Sequence, residues 1–303
     1  MRDVSHKFNT YREATASVIL KSTAHSISRV RAGDLPKGDA LTVAKVAAVQ
    51  AAKNTPDLIP YCHPVPVEFV GVEYEFHETQ IKINVTVKAV YKTGVEMEAL
   101  AAASAAALNI YDLLKMVEDD IEITDLKLDS KKGGKSGLPK PEGVTAAVIT
   151  VSDRASSGEY EDLSGPAVKS ALEEHGVRVL SAEVVPDERQ QISEAVQTAI
   201  NKGAQLVVTT GGTGASSRDV TPEALTPLVE KRLHGIEHRI LSYGVERTPM
   251  AASGRPLCGI SGGAVVLCLP GSPKAAEESL FAAIHPALHT VEVLSGTPHP
   301  VPE

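Results

Sequence analysis

The sequence predicts two unlike domains in tandem, an α+β sandwich on an antiparallel sheet followed by an open α/β sheet of mostly parallel strands. Three observations carry this reading. "VPVEFVGVEYEFHE" and "QIKINVTVKAVY" alternate polar and apolar residues with a period of two around a short polar turn near Glu78 and Thr79. They read as an antiparallel pair with one buried face. "TAAVITV", "LVVTT" and "AVVLCL" are short, nearly continuous apolar runs, the pattern of parallel strands buried on both faces. Between the two patterns lies "DSKKGGKSGLPKPEG", residues 129–143, dense in Gly, Pro and Lys, which reads as the seam.

Taken in order, the first half holds strands at 15–22, 65–77, 80–91 and 121–128 with two helices. "DALTVAKVAAVQAAK" is a helix capped by Asp39. "KTGVEMEALAAASAAALNIYDLLK", residues 92–115, lacks Pro and has no Gly after Gly94, so it is helical as well. At about 100° per residue, Glu98, Asp112 and Lys115 share one face of that helix. At about 1.5 Å per residue, Glu98 and Asp112 stand about 21 Å apart along it. One small substrate does not reach both ends of such a helix. "IEITDLKL" then returns as a strand. In the second half, helical stretches such as "DERQQISEAVQTAINKG" alternate with the apolar runs. No internal repeat links the halves.

Composition bounds the function. The 303 residues suffice for two ordinary domains, and 43% hydrophobic with 22% charged residues describe a soluble globular protein. With no Trp, 4% aromatics and a net charge of −8, nucleic-acid and anionic-membrane partners are not expected. Cys62, Cys258 and Cys268 form no CxxC pair and no even set for a disulfide framework. "MRDVSHKFNTYREATA" has no apolar leader core, and no apolar run approaches about 20 residues. A cytoplasmic protein is expected.

Four apolar strands of the second half end in glycine- or acid-bearing breaks: "SDRASSG", "PDER", "GGTGASSRD" and "PGSPKAA". Ligands of open α/β sheets bind at such strand ends, where helix N-termini present free N–H groups. Glycines let the backbone approach phosphate closely. Asp187 and Asp219 fall at the same edge, and Mg²⁺ on phosphates takes one or two carboxylates. The reading is therefore a polyphosphate held with magnesium. "GGTG" alone is weak, because Ser217 breaks GxGxxG, and "GGKSG" at 133–137 is no P-loop, because its first Gly would fall at Asp129.

The ordered set "SDRASSG", "PDE", "TTGGTG", "RDVTPEA" and "LPGSPKA" resembles the molybdopterin adenylyltransferases, the MogA/MoaB family, over residues 144–303. The resemblance implies a three-layer α/β domain with a mostly parallel sheet, trimeric, transferring AMP from Mg-ATP to the terminal phosphate of molybdopterin. It makes Asp187 and Asp219 the essential acids and metal-side residues. Gly211, Gly212, Thr213 and Gly214, with Pro270, Gly271 and Ser272, would line the nucleotide side, and Asp153 and Ser156 would be ligands in the first loop. The alternative is a non-catalytic pterin-binding module that trimerises the chain.

In the first half the basic residues Arg12, Lys37, Lys53, Lys115, Lys131 and Lys135 outnumber what one small substrate needs unless it carries a polyphosphate. Cys62 and His63 are adjacent, and no second ligand pair follows, which argues against zinc. "KGDALTVAKVAAVQAAK", "DLIPYCHP", "KTGVEMEALAAASAAAL", "IYDLLK" and "GGKSG" together resemble the cyclic pyranopterin monophosphate synthases (MoaC) over residues 1–137, leaving 138–143 as linker. That family implies a ferredoxin-like α+β fold with an antiparallel sheet, hexameric, with sites shared between subunits. It implies conversion of 3′,8-cyclo-7,8-dihydro-GTP to cyclic pyranopterin monophosphate with release of pyrophosphate. Such a rearrangement needs a group that takes and returns protons, and Asp112 with Lys115 at i and i+3 is the expected pair. Arg12, Lys37, Lys53, Lys131 and Lys135 are expected to hold the triphosphate. His63, Glu96 and Glu98, with Tyr61, Cys62 and Met97, are expected to frame the purine-derived part.

Overall fold

The structure is a computed structural model and describes residues 1–134 and 143–296. The chain forms two compact units, Met1–Leu138 and Pro139–Glu303. Lys135 and most of the expected linker lie outside the described residues.

The first unit runs β1 (Thr10–Lys21), α1 (Ala24–Ala32), α2 (Ala40–Lys53), α3 (Thr55–Leu58), β2 (Phe69–Phe76), β3 (Gln80–Tyr91), α4 (Glu96–Leu114), β4 (Glu122–Lys132). Its sheet has the order β2-β3-β1-β4, with every neighbouring pair antiparallel, which is the ferredoxin-like arrangement. Alternation decides the face. Ala14, Ala16, Val18 and Leu20 of β1 and Ile81, Ile83, Val85 and Val87 of β3 are fully buried. Over them lie Ala40, Ala44, Ala48 and Ala52 of α2 and the alanines of α4, whose short side chains let helix and sheet approach closely. Asp39 caps α2, its Oδ1 accepting from the Leu41 and Thr42 N–H groups at 2.9 and 3.4 Å.

Three features depart from the sequence expectations. β1 starts at Thr10, where Thr10 to Ala14 pair with Tyr91 to Val87. Helix α1 has no counterpart in the expected elements; Thr23 caps its start, and Gly33 at φ 69° ends it. Helix α4, 19 residues with mean hydropathy 1.2, is long and apolar enough by composition alone to cross a membrane. Here its alanines are core, packed on β1, β3 and α2.

The second unit runs β5 (Thr145–Val151), α5 (Asp153–Ser156), α6 (Ser164–Glu174), β6 (Arg178–Val185), α7 (Arg189–Asn201), β7 (Leu206–Thr210), α8 (Thr221–Leu225), β8 (Lys231–Arg232), α9 (His234–Val245), β9 (Leu257–Ser261), β10 (Ala264–Leu269), α10 (Pro273–Leu294). The sheet order is β6-β5-β7-β10-β9-β8. β6, β5, β7 and β10 are parallel, and β9 and β8 close the edge antiparallel. Every residue of β5, β7 and β10 is buried, as their apolar runs require. Helices α6, α9 and α10 pack together on one face while α7 and α8 pack on each other and cover the other, giving three layers. The chain leaves β5 for β6 on one side and returns to β7 on the other. That reversal is the switch point where such sheets open a crevice.

Candidate active sites

In the second unit a cavity of about 640 Å³ opens at this switch point, lined by the segments that follow β5, β6, β7 and β10. Glycine makes the convergence possible. Gly211 has φ 107°, and a Cβ there would run into the Val151 carbonyl oxygen. A Cβ on Gly271 would lie 3.1 Å from the Gly211 Cα. Acids gather on the floor. The Asp153 N–H donates to Asp187 Oδ2 at 2.8 Å, and the Asp187 N–H donates back to Asp153 Oδ1 at 3.0 Å. Asp219 Oδ2 accepts from the Ser216 N–H at 2.8 Å, and hydrogen bonding by Ser216 lowers its pKa. Burial pushes Asp187 upward, and the charges of Asp153 and Asp219 add to the push.

Two arginines that sequence reasoning left unassigned organise this floor. Arg218 grips Asp153 with Nε at 3.0 Å and Nη2 at 2.7 Å, and reaches Glu188 at 3.1 Å. Arg255 donates to the carbonyls of Gly214 at 2.9 Å and Asp219 at 2.6 Å and pairs with Glu223, clamping the glycine loop from outside. A cation beside Asp219 was visible in "RDVTPEA"; Arg255 gave no such local signal.

Of the residues expected here, Asp153, Asp187, Gly211, Gly212, Asp219, Gly271 and Ser272 all line the cavity. Ser156 instead donates to the Asp153 carbonyl at 2.9 Å. Thr213, Gly214 and Pro270 shape the loops through their backbone carbonyls. Among the described residues no group of three or more His, Cys, Asp or Glu is placed to hold a metal by itself. The donor set instead suits a cation that arrives on phosphates, since Mg²⁺ then needs only one or two carboxylates and retains water. The Asp219 charge adds to the upward push on Asp187, a repulsion that a divalent cation held by the two carboxylates would offset.

In the first unit the expected residues fall into two groups at opposite ends of α4. At its C-terminal end, Asp112 accepts from Lys115 at 2.8 Å and from Lys37 at 2.9 Å. The two lysines, Lys115 first, hold the Asp112 carboxyl down at about 2. Near its N-terminal end, Lys131 meets Glu96 at 3.5 Å. There Arg12, Glu96, Lys131 and the backbone of Gly94 and Gly133 surround a cavity of about 170 Å³. Arg12 is held by the carbonyls of Tyr91 and Lys92 at 3.2 and 3.3 Å. Glu98, 2% exposed, is pushed up to about 7 by burial, with the charge of Glu96 adding. Burial first, then the charges of Glu98 and Glu96, raises Cys62. His63 Nε2 lies 2.9 Å from the Arg2 carbonyl, Met97 and Tyr61 are exposed, and Lys53 stands exposed at the end of α2.

Known proteins divide along the same boundary. The description "MoaC family" matches residues 1–134, and "Probable molybdopterin binding domain" matches residues 147–290. A molybdenum cofactor biosynthesis bifunctional protein of Chlorobaculum tepidum is 39% identical over 299 residues, covering 99% of this chain and 96% of that protein. A cyclic pyranopterin monophosphate synthase of Peptoclostridium acidaminophilum is 47% identical over 137 residues, 45% of this chain and 87% of its own. The solved molybdopterin biosynthesis enzyme MoaB from Thermus thermophilus is 36% identical, covering 51% of this chain and 98% of its own, with a TM-score of 0.49. A ferredoxin-like unit and a three-layer unit with a switch-point crevice make this a two-domain α/β protein, and the relatives place it among biosynthetic proteins. The chain belongs to the family of molybdenum cofactor biosynthesis bifunctional proteins.

Proposed function

We propose that the chain is a bifunctional enzyme. Its first unit converts 3′,8-cyclo-7,8-dihydro-GTP to cyclic pyranopterin monophosphate and pyrophosphate, and its second transfers AMP from Mg-ATP to the terminal phosphate of molybdopterin, releasing pyrophosphate. The observation that carries the first half is the division of one residue set between the two ends of α4. With about 21 Å between Glu98 and Asp112, a site using both draws one end from each of two copies. The outward stripe of α4, with Met97 37% and Leu108 59% exposed and Ser104 between them, offers the apolar strip for a second copy.

The proton chemistry belongs to a pair. With Asp112 near 2, its carboxylate alone is a feeble base at neutral pH. When a substrate phosphate draws Lys37 away, Asp112 becomes more basic, and Lys115 is left as the proton donor hydrogen-bonded to it. Arg12, Lys131 and Lys53 then hold phosphates, and Glu98 with Cys62 and His63 frames the ring system.

In the second unit Asp187 and Asp219 would hold a divalent cation that, with the strand-end N–H groups, would offset the repulsion between the pterin phosphate and the α-phosphate of ATP. The Asp187–Asp219 pair facing the switch-point cavity supports this reading. The test uses the purified chain with Mg-ATP and molybdopterin, scoring adenylylated pterin, and in parallel pyrophosphate release from the cyclic dihydro-GTP. Pterin binding without adenylate under every Mg-ATP condition would make the second unit a binding and oligomerisation module.

A further inference from the structure

The residues assigned to the second-unit cavity from sequence are acids, glycines and small polar groups, with no cation among them. Its expected ligands are anions. Asp162, also on the lining, is occupied at the start of α6, accepting from Ser164 and Gly165 N–H groups at 3.0 Å and from Thr150 Oγ1 at 2.7 Å. Asp153, Glu161, Asp187 and Asp219 remain, and only Arg154 and Arg218 on the lining oppose them. Arg154 lies over the Tyr160 ring at 5.5 Å. Arg218 is the cation among the acids.

We propose that Arg218 is the phosphate-binding residue of this cavity, parked on Asp153 and Glu188 until an anion arrives, and that its transfer to the anion releases Asp153 to support Asp187 and Asp219 in receiving a divalent cation. The proposal rests on reading the cavity as a polyphosphate site. Three features support it. The Arg218 and Asp153 side chains are 57% and 41% exposed, so their pairing is weakly held and exchanges readily. A phosphate offers the same fork of acceptors with more charge, and the guanidinium suits both. Finally, the reciprocal backbone bonds between Asp153 and Asp187 hold the Asp153 carboxylate on the cavity floor after Arg218 leaves. Anion and cation binding are thereby coupled, and the coupling is reciprocal.

The experiment is titration of the full chain with a non-hydrolysable ATP analogue and, separately, with Mn²⁺ alone, followed by calorimetry and electron paramagnetic resonance. Arg218→Gln is expected to weaken the nucleotide by roughly 10- to 100-fold, the loss of one charge-assisted contact. The same variant should bind Mn²⁺ alone more tightly than wild type, and nucleotide should no longer strengthen Mn²⁺ binding. Arg218→Lys should fall between, retaining charge without the fork. Asp153→Asn keeps Arg218 and leaves it Glu188 as its one acidic partner, so nucleotide without metal should bind more tightly; this variant serves if Arg218→Gln folds poorly. A loop tie alone would give no tightening of Mn²⁺ in Arg218→Gln and none of nucleotide in Asp153→Asn, and either result overturns the proposal. Should wild type bind no nucleotide, adenylyl transfer falls on its own. Molybdopterin then becomes the probe, and unchanged affinity in Arg218→Gln overturns the role of Arg218 while weakened affinity supports it.

Discussion

On the proposed reading the two units face similar tasks, holding a phosphate-bearing pterin or its precursor, and they build their sites in opposite ways. The second unit gathers its acids, glycines and arginines at one sheet edge, because strands that reverse direction of progress leave a crevice between neighbouring loops. The first unit spreads its residues along a helix lying across a sheet, and no such crevice brings the ends together. A doubly covered parallel sheet assembles a site from one chain. On the proposed reading, an antiparallel sheet covered on one face by α2 and α4 leaves its site for a second copy to complete.

The sharpest way to break this comparison is to disable each unit alone. Asp112→Asn should lower pterin formation by about 10²–10⁴-fold, since the amide exchanges no proton, and leave second-unit chemistry untouched. Asp219→Asn should do the reverse, losing AMP transfer by about 10²–10³-fold while pterin still binds. Loss of both activities from either change would mean the units depend on each other. The next test concerns sharing. Lys37 pairs with Asp112 in one chain, so the informative partners come from opposite ends of α4. Mixing Asp112→Asn with Glu98→Gln in two-fold assemblies should restore about a quarter of the sites, because half the assemblies are mixed and one of their two sites is intact. No recovery despite proven subunit exchange would place the site within one chain.

Smaller effects test the floor of each site. Gly211→Ala forces a Cβ against the Val151 carbonyl at φ 107°, and should destabilise the second unit by about 2–4 kcal/mol in denaturant melts. In the first unit Gly133, at φ 93°, is pinned just as tightly, since a Cβ there would run into the Tyr11 carbonyl oxygen, and the pH-sensitive group of this unit is Glu98. Its carboxyl rises from near 4.5 to about 7 in the fold, so between those values the unfolded chain has lost a proton that the folded unit keeps. Stability therefore falls as pH rises through this window, by an amount on the order of 3 kcal/mol, and stays low above it. Glu98→Gln should be more stable than wild type at pH 8 and indistinguishable from it at pH 4, read by hydrogen exchange in the first unit. Equal stability at both values would show that Glu98 ionises freely.

Local pattern made much of this visible in the sequence. The alternation of β3, the buried runs of β5, β7 and β10, the Asp39 cap and the glycine breaks each act within a few residues, and each stands in the structure where its pattern put it. Helix α1 escaped notice because only Ser26, Ile27 and Val30 are buried among polar neighbours, leaving a weak periodic signal. The ion pairs escaped for another reason. Lys37 and Asp112 are 75 residues apart, and Arg218 and Asp153 are 65, so only the topology reveals them. Sequence showed which groups are chemically able; folding decided which of them face each other.

The setting of Cys62 carries a consequence for thiol chemistry. A thiol must ionise to attack a peroxide or an electrophile, and burial with the charges of Glu98 and Glu96 disfavours that ionisation at Cys62. Cys258 and Cys268, pushed up to about 12 inside the second unit, are also shielded by full burial. In the native protein an alkylating reagent should therefore spare Cys258 and Cys268 and reach the half-buried Cys62 first, more slowly than a free thiol.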